Sequence, residues 1–213
     1  MPIAFLIKNW IENGVRALNE QNSDMAGGKI EFIFSEQKSV AECFDSLNSL
    51  HNDSFIYYKI GAVTANLFVR SNLFGKMGLF PEVKSGGDMN WTGRGMSKGF
   101  SLNYAPEAIV YHPARNFIRV LRKSRLYGTG LLLTIKQRRW RFCRTLYLMI
   151  RLLIPVPNRI ILIFLLGVKK RPEVGGRRLA IWGISYLSQI CLLCGLGDSL
   201  FKKSSDCCLC QGV

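Results

Sequence analysis

Carboxylates are scarce in this chain. Its 213 residues include 14 Asp and Glu against 29 Lys and Arg, for a net charge of +15. The aspartates are Asp24, Asp45, Asp53, Asp88, Asp198 and Asp206, and no two stand two positions apart. That excludes an Asp-x-Asp pair, which presents two hard oxygen ligands to one divalent cation. Nor is a secretory leader expected, because "MPIAFLIKNW" has neither a basic n-region nor a long apolar core. The seven cysteines are odd in number and five lie beyond residue 190. A disulfide scaffold is therefore a poor reading, and a reducing compartment fits better. The apolar run over residues 145–168 is broken by Arg151, Pro155, Pro157 and Arg159, so it lacks an uninterrupted span of roughly twenty residues. No internal repeat is present, which argues against a solenoid.

What is present is a chain able to build a core, with 48% hydrophobic residues. Charge is unevenly spread. Residues 1–113 carry ten bases and eleven acids; residues 114–213 carry nineteen and three. The first part reads as a near-neutral globular unit. The second faces something anionic, either lipid headgroups or nucleic acid. Its bases are mixed with long aliphatic runs rather than polar, aromatic stacking surfaces, so an anionic membrane surface is the expected partner and nucleic acid is not.

Along the chain, residues 8–21 put Ile11, Val15 and Leu18 on one helical face. "KIEFIF" alternates like a strand. "SVAECFDSL" opens with Ser39 and Glu42 at capping-box spacing, and Val40, Phe44 and Leu47 form its stripe. "GAVTANLFVR" is strand-like. "SNLFGKMG" reads as a short helix capped by Ser71 and ended by Gly78. Asp88 opens a further helix that Gly99 closes, and "SLNY" and "AIVY" read as two strands joined by a turn at Pro106. This alternation is α/β. "NFIRVLRKSRLYG" is a basic amphipathic helix with Phe117, Val120, Leu121 and Ser124 on one side. The uncharged run 179–196 is at the lower length limit for a spanning helix, and bases flank it on both sides, so helices lying in the membrane interface are expected. Residues 204–213 read as a loose, Cys-containing tail.

Asp88 follows Gly86 and Gly87 at a helix start, near free backbone N–H groups and the positive end of the helix dipole. Both favour an ionised carboxylate, and the glycines allow another molecule close approach. Such a group is either a plain helix cap or a base for an incoming hydroxyl.

The ordered series "GAVTANLFVRSNLFGKMGLFPE", "SGGDMNWTGRG", "GFSLNYAPEAIVYH" and the basic helix resembles the acceptor-side half of family 2 glycosyltransferases of the GT-A fold, over about residues 8–130. The resemblance implies a partial GT-A mixed sheet with helices, followed by basic and apolar C-terminal helices. It implies that Asp88 is the catalytic base of an inverting transfer from a nucleotide-sugar donor to a saccharide or lipid-linked acceptor, in envelope polysaccharide or glycan biosynthesis. Gly86 and Gly87 would shape the acceptor loop, and Thr64, Ala65 and Asn66 the cleft floor. Asn90 stands where relatives carry Glu, and an amide cannot ionise. Arg94 and Arg115 would face a diphosphate. His112 would serve metal or diphosphate, or act as a hydrogen-bonded structural histidine.

The family's N-terminal nucleotide-binding half, with its metal motif for Mg²⁺ or Mn²⁺, has no counterpart here. The expectation is thus a truncated chain, or one partnered by a separate N-terminal half, with acceptor-side residues 1–130, a membrane-associating region 131–203 and the tail 204–213. The alternative is a non-catalytic, basic membrane-binding remnant. Either would sit at the cytoplasmic face, peripherally or through one marginal C-terminal span. "KQRRW" at 136–140 is similar to the Gln-x-x-Arg-Trp segment of processive synthases but one residue short, so Trp140 reads as an interfacial anchor. Cys191 and Cys194 with Cys207, Cys208 and Cys210 have the count for a zinc set. The apolar setting of the first pair favours small hydrophobes instead.

Overall fold

The computed structural model describes residues 5–137 and 177–208. The expectations for Trp140, for the interrupted run 145–168 and for Cys210 lie outside these residues, as do the side chains of Cys207 and Cys208. The chain divides into two compact units. The first is Met1–Gln37 with Ser46–Ala114; the second is Lys38–Asp45 with Arg115–Val213.

The first unit is α/β. It contains β1 (Phe5–Leu6), α1 (Trp10–Glu20), β2 (Met25–Ile33), α3 (Asn52–Tyr57), a 3-10 turn (Thr64–Asn66), β3 (Leu67–Val69), α4 (Asn72–Met77), α5 (Gly87–Ser97) and β4 (Leu102–Pro113). Between β2 and α3 runs α2 (Val40–Asn48), whose first residues belong to the second unit. The sheet order is β1-β4-β2-β3, with β2 and β4 parallel and both outer pairs antiparallel. A parallel pair needs a long crossover, and the helices between β2 and β4 provide it.

One core cluster gathers Met25, Ala62, Leu73, Met77, Trp91 and Leu102. Trp91 is its anchor: fully buried, it lies 5.3 Å from the Phe74 ring and 4.8 Å from the Phe80 ring, and its Nε1 donates to the Gly78 carbonyl at 2.8 Å. This contact seats α5, the helix that carries Asp88. The second cluster, Leu18, Ala26, Ala105 and Ala108, packs with Trp10, Ala17 and Phe68.

Several local readings change in the folded chain. Strand β2 begins at Met25, not Lys29, because Gly27 pairs with Leu67 and Tyr104 and Gly28 with Ala105. The strand-like "GAVTANLFVR" contributes three strand residues; the rest is extended loop and a 3-10 turn. "SLNY" and "AIVY" are one strand. The turn expected at Pro106 is a bulge, where Gly28 pairs with Ala105 and Lys29 with Ile109. Proline lacks the ladder donor, and a bulge tolerates it. In α1, Gly14 and Leu18 are buried while Ile11 and Val15 stay 64% and 45% exposed. The Phe68 ring occupies the space a side chain at residue 14 would need, so the packed face is rotated from the most apolar one. Ser71 sits at the start of α4 without a side-chain cap bond, while Gly78 ends the helix as expected, at φ 76°.

The second unit holds α6 (Phe117–Gln137) and α7 (Arg178–Cys208), and a small core of Cys43, Phe44, Val120 and Ile181. The helices run in the same direction: Ser124 meets Ser188, and Ser199 Oγ donates to the Thr129 carbonyl at 3.4 Å. Arg125 forks onto Asp198 at 2.8 and 3.1 Å. Helix α7 continues through Cys208, into the stretch expected to be a tail. The capping box forms: Ser39 N–H donates to Glu42 Oε2 at 2.7 Å, and Glu42 N–H to Ser39 Oγ at 3.3 Å. Ser39→Ala should lower the stability of this unit by about 1 kcal/mol, read as a shift of the urea midpoint.

Candidate active site

Asp88 lies in the first turn of α5, after Gly86, whose φ is 78°. Its carboxylate is half-buried and engaged at both oxygens. Oδ2 accepts from the Thr64 backbone N–H at 2.9 Å and the Thr64 hydroxyl at 3.1 Å; Oδ1 accepts from its neighbour Met89 N–H at 2.8 Å. Each carboxylate oxygen has two lone pairs, so acceptor capacity remains for a further donor. The three bonds fix the orientation of the carboxylate.

Thr64 is brought to Asp88 by the loop before it. Gly61 has φ 149°, and a Cβ there would stand 2.7 Å from the Met89 carbonyl and 2.8 Å from Thr92 Oγ1. The loop therefore lies against α5 in a way that only glycine permits. The fold thus joins Thr64 and Asp88, which were picked separately from the sequence.

Other candidate residues take different places. Asn66 is buried, with its amide N–H groups donating to the Lys29 and Ala108 carbonyls at 2.7 Å each and its Oδ1 accepting from Trp10 Nε1 at 3.0 Å. Those carbonyls flank the β4 bulge, so Asn66 braces the strands below the 3-10 turn. Gly86 and Gly87 form the turn into α5, and Asn90 N–H donates to the Gly86 carbonyl at 3.0 Å. Arg94 reaches the Met77 carbonyl at 3.2 Å. His112 lies on β4 opposite Phe32, its ring edge-on to that phenyl at 6.2 Å, with Nδ1 2.9 Å from the Pro113 carbonyl. Arg115 belongs to the second unit, where its Nη1 and backbone N–H meet Asp45 at 2.8 and 2.9 Å.

Sequence reasoning missed Asn52, Thr92 and Trp10. An Asn in a short helix and a Thr in the middle of another carry no local signature, since what distinguishes them is burial beside a loop distant in the chain.

The fold resembled implies a divalent cation. Among the described residues no group of three or more His, Cys, Asp or Glu side chains converges. The described residues do not fit such an ion, and no step below runs through one.

No family model matches the chain. It is similar to the glycosyltransferase AglE of Haloferax volcanii, with 36% identity over 124 residues. That stretch covers 58% of this chain and 41% of the relative, so the chain spans less than half of the relative's length.

Proposed function

We propose that this chain carries the acceptor side of an inverting, family 2-type glycosyltransferase with a GT-A-like arrangement, and that Asp88 is its base. The observation that carries this reading is the Asp88 carboxylate, held by Thr64 at the start of α5. The acceptor hydroxyl gives its proton to Asp88, and the oxygen attacks the anomeric carbon of a nucleotide-activated sugar. The bond from that carbon to the diphosphate breaks on the opposite face, and the nucleoside diphosphate leaves with the bonding electrons. Thr64 aims the carboxylate, and Gly86 and Gly87 leave room for the acceptor. The acceptor is a saccharide or lipid-linked glycan. The test is transfer from radiolabelled UDP-, GDP- and dTDP-sugars to a lipid extract, by wild type and Asp88→Asn. Transfer that does not depend on Asp88 overturns the reading.

The second unit has features that suit a membrane surface. Among the described residues one helix is long and apolar enough to cross a bilayer: Leu179–Ser199, mean hydropathy 1.7 and 28% buried. Leu179, Trp182, Leu187 and Ile190 are exposed, and they share about 140° of its circumference. Arg119, Arg122 and Arg125 on α6 are exposed. An apolar stripe accompanied by bases suits an anionic lipid surface on the cytoplasmic side. The chain should float with phosphatidylcholine vesicles containing phosphatidylglycerol and not with phosphatidylcholine alone, and high salt should release it. Resistance to both salt and carbonate extraction would show a spanning helix instead.

A further inference from the structure

We propose that Asn52 and Thr92 are positioning residues that aim the Asp88 carboxylate through the segment Ala62–Thr64; the inference rests on reading Asp88 as the base. Three consecutive backbone N–H groups in this segment end on side-chain oxygens. Ala62 donates to Thr92 Oγ1, Val63 to Asn52 Oδ1 and Thr64 to Asp88 Oδ2, each at 2.9 Å. The first two acceptors are buried, at 0% and 2% exposure, and neither touches the carboxylate. The third is the carboxylate itself.

Each buried residue ties the segment to a different part of the first unit. The Asn52 amide donates to the Gly28 carbonyl of β2 at 3.1 Å and to the Asn66 carbonyl at 2.9 Å while its oxygen holds Val63. Its whole polar end is engaged between strand and turn. Thr92 accepts from Ala62 and donates to the Asp88 carbonyl at 2.8 Å, its shortest acceptor. One hydroxyl thus links the loop to the residue that bears the base. Together they fix where the Thr64 N–H points, and with it the plane of the carboxylate. A proton acceptor displaced by even about 1 Å from its partner loses much of its effect.

The test uses the full chain, with the Thr64 amide followed by NMR. In wild type this amide's resonance should move as Asp88 is protonated, and the movement should be absent in Asp88→Asn. Thr92→Val keeps the shape and removes the hydroxyl. It removes the bonds to Ala62 and to the Asp88 carbonyl, and it should speed hydrogen exchange at the Thr64 amide about tenfold and uncouple its resonance from Asp88, while the amides of Met25 and Trp91 stay protected. Thr92→Ser should restore both properties to within about twofold of wild type. If Thr92→Val fails to fold, Asn52→Asp, which keeps the acceptor for Val63 and loses both donors, gives the same readout. In the radiolabelled transfer assay, kcat should fall about 10- to 100-fold with KM for the acceptor nearly unchanged. A folded variant whose Thr64 amide still follows Asp88 as in wild type overturns the positioning role and leaves the base reading standing. Wild-type transfer by Asp88→Asn overturns the base reading itself.

Discussion

Asp88→Asn should lower sugar transfer by about 10²- to 10⁴-fold and leave the fold intact. Asparagine keeps the size of the side chain and one carbonyl oxygen, so it can still accept from either Thr64 or Met89. It cannot accept from both sides, because its second terminal atom is a donor. The stability cost is the order of one hydrogen bond, about 1 kcal/mol, far below what the loss of transfer represents. The measurement pairs a thermal melt with transfer rates, on this chain alone or together with a nucleotide-binding half. A variant that melts near wild type and transfers at less than about a hundredth of its rate assigns the loss to the proton acceptor. Asp88→Glu separates position from chemistry. It keeps the charge and moves the oxygens by one methylene beyond the reach of Thr64, so it should recover only a small part of the rate.

Arg115→Ala should destabilise the second unit by about 3–5 kcal/mol. The Asp45 side chain is 3% exposed and that of Arg115 14%, so the pair at 2.8 Å lies almost wholly out of water. Removing the guanidinium takes away the Arg115 charge that helps offset the desolvation of Asp45. Arg125 and Asp198 form the contrast. Their side chains are 59% and 45% exposed, and water screens them, so Arg125→Ala should shift the urea midpoint far less than Arg115→Ala does. Urea unfolding of the two variants decides the comparison. Equal shifts would show that the Arg115 pair gains nothing from its burial.

Much of the local structure was readable in advance because it depends on residues within a turn of one another. The Ser39–Glu42 box, the Gly78 stop, the helix after Gly86 and the basic α6 each follow from spacing alone, and each forms. Readings failed where a neighbour from far along the chain chose the outcome. Pro106 reads as a turn until Gly28 and Lys29 lie beside it, when the extra residues become a bulge within one strand. Ile11 and Val15 look like the packing face of α1, but the approach of Phe68 to Gly14 rotates the helix.

The same division runs through the candidate site. Sequence by itself placed one carboxylate at the start of a helix, beside two glycines, in a near-neutral segment followed by a strongly basic one; charge, turn preference and helix entry are set by adjacent residues. Only tertiary structure decided that Thr64, 24 positions away, donates twice to that carboxylate, and that Thr92 and Asn52, 30 and 11 positions from their backbone donors, hold the loop in place. Hydrogen bonds act over about 3 Å, so these partners exist only once the crossover between β2 and β4 has folded the loop onto α5.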